Sequence, residues 1–256
     1  MIQIPTTNAQ SSNSNHSIKS SYHAVQEQID KTAHASGRLP EHITLVVVTK
    51  NQPLTAIQTL YNLGHRHFGE NRIEEASGKI TSMTTTTQPL HEPITWHMIG
   101  HIQSRKAHAA VQLFDQLHSI DSIKLANRLS RFAVEENRIA SILLQCNISG
   151  ESTKSGFATN NAAPNTHQWS ELVKSISTIS ILTNLRITGL MTMAPIASNP
   201  ENSRPVFHDL RLLSDQISHR FPELTISHLS MGMSIDYAVA IQEGATMVRV
   251  GTSIFG

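Results

Sequence analysis

The chain has 256 residues, 39% of them hydrophobic and 15% charged, and a formal net charge of +1. That is enough apolar material for a sizeable core, while no basic stripe supports nucleic-acid binding, no apolar run approaches the roughly 20 residues that cross a bilayer, and no apolar leader opens the chain. The single cysteine, Cys146, excludes an internal disulfide and fits a reducing compartment, so a cytoplasmic protein with no membrane partner is expected.

Residues 1–16 are rich in Ser, Asn, Thr and Gln and lack periodicity. They read as a flexible arm ahead of a domain spanning 17–256. A helix is expected over 18–36, stopped by Gly37 with Pro40 beyond it. From Ile43 onward, β-branched runs alternate with amphipathic stretches. Strands are expected at 43–49, 66–69, 96–99, 117–120, 141–148, 187–193, 226–230 and 246–250. Helices are expected between them at 53–63, 70–80, 103–113, 122–137, 166–178, 201–219 and 234–243. The polar stretches 81–92 and 158–167 read as surface loops. Strands that alternate with helices, joined by right-handed crossovers, form the pattern of an α/β fold, a single-domain (β/α)8 TIM barrel. A doubly wound open sheet is the alternative, and no Gly-x-Gly-x-x-Gly follows the first strand to support its dinucleotide form.

Barrel active sites lie at the C-terminal ends of the strands. Those ends carry Lys50, Glu70 and Asn71, Gly100 and His101, Asp121, Asn147, Met191 to Met193, Ser230 to Ser234 and Arg249 to Ser253. Lys50 follows the apolar run ITLVVVT; a lysine there can be partly desolvated, which makes a better amine nucleophile. In the last strand Arg249 shares a face with Met247 and Gly251 by the period of two, and so points into the barrel mouth. There it either pairs with a carboxylate for structure or donates to a cofactor ring nitrogen and keeps that nitrogen unprotonated. Barrel phosphate sites often use the loops after the seventh and eighth strands. Here those loops read SMGMS (230–234) and GTSIFG (251–256), with glycines, hydroxyls and free N–H groups. A solvated lysine and a plain turn are the bland alternatives for each motif alone. Together, an amine and a phosphate cradle describe a pyridoxal phosphate site. His65 and His67 alternate without a Cys or carboxylate to complete a metal set, so no metal is expected. Glu74 and Glu75 are expected to be solvated, and Lys154 in TKSGF is either an anion-contacting loop residue or part of an exposed turn.

The strings LVVVTK (45–50), FGENR (68–72), WHMIGHIQSRK (96–106), SIDS (119–122), NISGESTKSGF (147–157), GLMTM (189–193) and the segment 229–256 resemble the pyridoxal phosphate homeostasis proteins. The resemblance runs from about Ile43 to Gly256. It implies a barrel similar to the N-terminal domain of alanine racemase, with Lys50 as the Schiff-base lysine and Arg249 facing the pyridine nitrogen. Ser230, Gly232, Ser234, Gly251 and Thr252 would surround the phosphate, with Asn71 and Met191 near the ring. Three features depart from the family pattern: the longer N-terminal arm, Arg105 in place of an asparagine, and a last residue at Gly256 where a short final segment is usual.

Alanine racemases draw a second base, a tyrosine, from another domain. The three tyrosines here, Tyr22, Tyr61 and Tyr237, leave no counterpart, and an arginine opposite the ring nitrogen disfavours carbanion chemistry. The expected function is therefore reversible holding of pyridoxal phosphate without substantial catalysis, by a monomer or weak dimer, with apo-enzymes that use the cofactor as candidate recipients. A weak amino-acid racemase or lyase of the same fold and a cofactor-free barrel enzyme acting on a phosphorylated metabolite are the alternatives.

Overall fold

β-branched and aliphatic residues fill the first strand, β1 (Thr44–Val48), whose Leu45, Val46 and Val47 are buried. A strand covered on both faces reads as a continuous apolar run, the signature of a parallel sheet packed under helices. The computed structural model describes residues 8–86 and 92–256. After β1 come β2 (His67–Glu70), β3 (Thr95–Met98), β4 (Gln116–Ile120), β5 (Ala140–Asn147), the short β6 (Phe157–Ala158), β7 (Leu185–Met191), β8 (His228–Ser230) and β9 (Met247–Val250). All pair in parallel. The ring runs β1–β2–β3–β4–β5–β7–β8–β9 and closes between β9 and β1, while β6 adds to β5 alone. The eight ring strands fall within two residues of the eight expected from the sequence, and the fold is the (β/α)8 barrel rather than the open sheet.

The helices are α1 (Asn8–Ala35), α2 (Leu54–Asn62), α3 (Ile73–Thr86), α4 (Ala107–Leu113), α5 (Ile123–Glu135), α6 (His167–Ser180), α7 (Arg204–Arg220), α8 (Tyr237–Gln242) and the single-turn α9 (Thr252–Phe255). Two boundaries differ most from expectation. Helix α3 runs on through 81–86, where a loop was expected, because Ile73, Ala76, Ile80 and Met83 form one buried stripe at helical spacing; residues 87–91 lie outside the described residues. Helix α1 begins at Asn8 rather than at 18, so the expected arm falls partly within this helix and partly on residues 1–7, outside the described residues.

Helix α1 also resolves how the barrel is covered beyond β9. It packs against α2, α8 and α9, in the slot between the helix that precedes β9 and the helix that follows β1. Tyr22, Val25, Ile29 and Ala33 give it a buried stripe there. The N-terminal helix thus closes the outer ring. Ser122 and Thr166 cap α5 and α6, each accepting the N–H of the third residue on. Among the described residues, no helix is long and apolar enough to cross a membrane.

Candidate functional site

Backbone direction at the end of β1 is set by a buried ionic knot. Glu70, at the end of β2, is fully buried; its Oε1 accepts the Thr49 hydroxyl at 2.7 Å and Lys79 Nζ at 2.9 Å. Burial pushes the Glu70 carboxyl up, and the bonds from Thr49 and Lys79 oppose it. Lys79 also donates to the Thr49 carbonyl (2.8 Å) and to Glu75 (3.0 Å). Glu75 in turn accepts the Asn51 N–H at 2.5 Å, so it is tied into the knot rather than solvated as the sequence suggests. Asn51 adopts φ of 59°, a left-handed position that asparagine tolerates. The residues on both sides of Lys50 are therefore pinned. Lys50 itself is exposed, not partly desolvated, because β1 ends at Val48 and the chain turns before the lysine is reached.

That turn opens onto a cavity of about 820 Å³ at the C-terminal ends of the strands. Lys50, Asn71, Ser234, Arg249, Gly251 and Thr252 all line it, together with Val48, Gly100, His101, Gln145, Lys154, Met193 and Ser253. Six of the nine expected site residues meet there. Met191, Ser230 and Gly232 do not line the cavity. Met191 and Ser230 are buried behind it, and Gly232, at φ of 89°, lets its loop pass so close to α8 that a Cβ would sit 2.5 Å from the Ala240 Cβ. A second glycine, Gly100, permits a similar approach: a Cβ there would sit 2.1 Å from the Asn71 carbonyl.

Arg249 enters from below. Its Nη1 donates to Ser230 Oγ at 2.6 Å and its Nη2 to the Thr192 carbonyl at 2.9 Å. Burial pulls the guanidinium down to about 10, opposed by the charge of Asp236, yet it stays cationic at neutral pH. Asp236 does not contact it, since the two Asp236 oxygens accept the Met233 N–H (2.7 Å) and the Ser203 hydroxyl (2.9 Å). A structural carboxylate partner for Arg249, one of the two sequence expectations, is therefore not what holds it.

The two loops after β8 and β9 are laced together. Ser234 Oγ accepts the N–H groups of Gly251 and Ser253, both at 3.3 Å, and the Ser253 hydroxyl donates to the Ser234 carbonyl. These long bonds leave N–H groups and hydroxyls converged on one wall, an arrangement able to take an anion. Across the cavity, Asn71 Oδ1 is a buried acceptor without a protein partner. Lys154 Nζ is held by Glu151 (2.5 Å) and donates to the Met193 carbonyl (3.1 Å), which ties it to one edge of the cavity. The three tyrosines pack in the core and none lines the cavity. Among the described residues, no three His, Cys, Asp or Glu side chains could hold a metal ion.

Two groups escaped the sequence: Lys79, which looks like any surface helix lysine, and the histidines of the barrel interior. Spacing along one strand says nothing of contacts between strands, and only the pairing register brings those residues together.

A barrel with a lysine after its first strand and an arginine on its last defines a class. Residues 21–256 match the family described as alanine racemase, N-terminal domain. The alanine racemase of Clostridium difficile 630 shares the fold at 14% identity, with a TM-score of 0.68 over 94% of this chain and 56% of that one. Much nearer are the pyridoxal phosphate homeostasis proteins of Synechocystis (37% identical, covering 85% of this chain and 93% of the relative) and Escherichia coli K12 (36%, covering 91% and 93%). The structure of PipY from Synechococcus elongatus PCC7942 with pyridoxal phosphate bound is 36% identical, with a TM-score of 0.73 over 90% of this chain and all of that one. The chain belongs to the alanine racemase N-terminal-domain family and, within it, to the pyridoxal phosphate homeostasis proteins.

Proposed function

We propose that the cavity holds pyridoxal phosphate reversibly and that the protein thereby buffers the cofactor in the cytoplasm and releases it to apo-enzymes that need it. The observation that carries this reading is the convergence of Lys50, the carboxylate-free Arg249 and the laced Ser234–Gly251–Thr252 wall on one cavity. Bound pyridoxal phosphate supplies an aldehyde that an amine can capture and a ring that can spread negative charge. Lys50 is the amine on the cavity wall. Ser234, Gly251 and Thr252 supply hydroxyl and N–H donors for the phosphate. Asn71 Oδ1, buried and unpartnered, fits a polar ring substituent. Arg249 offers donors only, so it fits an unprotonated ring nitrogen. Met191, Ser230 and Gly232 serve from behind the wall, by shape and by holding Arg249.

Turnover is not what these residues are built for. A ring nitrogen facing a guanidinium is a poor electron sink, and among the described residues neither a tyrosine nor an unpaired lysine lines the cavity opposite Lys50. Lys50→Ala should lose the visible absorbance of dialysed, cofactor-loaded protein while keeping its far-ultraviolet circular dichroism; persistent colour would overturn the assignment. Deuterium wash-in at Cα of L-alanine, followed by nuclear magnetic resonance over hours, should be slow. Exchange at ordinary enzyme rates, roughly 1 per second or faster, would favour a racemase or lyase.

A further inference from the structure

Below Arg249, three imidazoles from three consecutive strands stand in file through the barrel interior. His67 Nδ1 lies 3.1 Å from His97 Nε2, His97 Nδ1 lies 2.9 Å from His118 Nε2, and His118 Nδ1 lies 2.8 Å from Ser230 Oγ. Arg249 Nη1 lies on the far side of the same Ser230 oxygen, at 2.6 Å. His97, His118 and Ser230 are fully buried, and His67 is half-buried.

Each of these four contacts needs one proton, and Arg249 decides where all of them sit. A guanidinium donates and cannot accept. Ser230 Oγ therefore accepts from Arg249 and gives its own hydroxyl proton to His118 Nδ1. His118 must then carry its proton on Nε2 and donate to His97 Nδ1. His97 likewise carries its proton on Nε2 and donates to His67 Nδ1. The opposite sense would place two donors on Ser230 and leave its hydroxyl proton without an acceptor in the core, at the cost of an unsatisfied buried group. Burial pushes His97 and His118 well below the usual imidazole range. The titratable groups facing them are Arg249 and His228 for His118, and His118, His67, His65 and His228 for His97; no carboxylate among them favours an imidazolium. Because Arg249 cannot take up a proton, the file ends there and cannot conduct one to the cavity.

An Nε2–H imidazole is a dipole with its negative end at Nδ1. In this file every negative end points toward Arg249. We infer that His97 and His118 are positioning residues: a one-way file locked in the Nε2–H tautomer that keeps Ser230 Oγ an acceptor, steadies the buried cation without a carboxylate, and so leaves the cavity side of Arg249 free for the cofactor ring. A carboxylate in that place would compete with the ring nitrogen for the guanidinium; neutral dipoles do not. The functional half of this inference rests on the pyridoxal phosphate reading, whereas the tautomers belong to the chain itself.

The first test uses unloaded, nitrogen-15-labelled protein and long-range proton–nitrogen correlation of the imidazoles at pH 6 to 8. His97 and His118 should each show a neutral ring protonated at Nε2 throughout. An Nδ1–H tautomer or a doubly protonated ring at either position would overturn the file. The second test titrates wild type, Ser230→Ala, His118→Leu and His118→Asn with pyridoxal phosphate and records the visible band. Ser230→Ala, which removes one oxygen from the core, should weaken binding about tenfold and shift the band. His118→Leu should do the same. His118→Asn retains an acceptor where Nδ1 stood and should recover most of the loss. Wild-type affinity and band in folded Ser230→Ala would overturn the positioning role. Failure of wild type to bind would instead remove the cofactor reading and with it the role proposed for the file.

Discussion

Acid should unfold this protein earlier than its carboxylates alone would dictate, because buried imidazoles must stay neutral. His65 is 5% exposed. Its Nε2 reaches the His67 carbonyl at 2.7 Å, and its Nδ1 lies 3.3 Å from the Tyr22 hydroxyl on α1. Burial lowers it from 6.5 to about 4, with the His67 carbonyl opposing and nearby His67 and Arg66 charges adding to the drop. The unfolded chain thus takes up a proton below pH 6.5 that the folded chain refuses until about pH 4. The His65 contribution is complete above pH 6.5 and is lost as the pH falls from there toward 4. At pH 5 that loss is about 2 kcal/mol. His97 and His118 are lowered in the same direction, and each adds a slope of up to about 1.4 kcal/mol per pH unit inside its own window. Glu70, raised by burial, works the other way: folded protein holds a proton that the unfolded chain releases above 4.5, which offsets part of the slope just above that value. Urea unfolding at pH 7.5, 6.5, 5.5 and 5 measures the sum. The expected midpoint falls steadily below pH 6.5, and His65→Gln flattens the slope by about one proton. Equal stability at pH 7.5 and pH 5 would refute the reasoning.

Two further variants separate scaffold from site. Gly189→Ala would place a methyl 2.0 Å from the His228 carbonyl, between paired strands that cannot part cheaply; a loss at or above the upper end of about 1–3 kcal/mol is expected in chemical denaturation, and a wild-type midpoint would contradict the packing described. Wild type should bind pyridoxal phosphate far more tightly than pyridoxal, since each charge-assisted bond to the phosphate contributes about 1.5–3 kcal/mol. Thr252→Val combined with Ser234→Ala should narrow that gap in equilibrium titrations, and equal affinities of the two vitamers for wild type would remove the phosphate assignment.

The first and last ring strands were the most legible, because a strand buried on both faces is largely apolar, and ITLVVVT or TMVRV admits little else. Arg249 was legible for the same reason: a charge inside such a run stands out, and the period of two says which way it points. The strand end separates Ser230 from Ser234, which look interchangeable in SMGMS. Ser230 is still in β8 and turns into the barrel beneath Arg249, whereas Ser234 lies past the strand end on the cavity wall. What the sequence hid depends on register between strands. Gly69 pairs with His97 and His97 with Gln116, which puts His67, His97 and His118 on one inward face. Read along the chain, each is an isolated histidine. Lys79 was hidden likewise, since only the folded α3 sets its ammonium against Glu70 and the Thr49 carbonyl.

The closure of the ring by α1 has a kinetic side. β1 finds one neighbour, β2, within a few turns of chain, but its other neighbour is β9, with Thr44 opposite Met247. During synthesis at about 5–20 residues per second, the seam between first and last strands stays open for on the order of ten seconds or more after β1 has formed. Through that interval the stripe of Tyr22, Val25, Ile29 and Ala33 has lost none of its greasiness and has only α2 to lie on, because α8 and α9 do not yet exist. Long-range pairing of this kind slows folding and exposes the nascent chain to mispairing. The same helix that seals the finished barrel presents, for most of the protein's birth, an apolar stripe still waiting for α8 and α9.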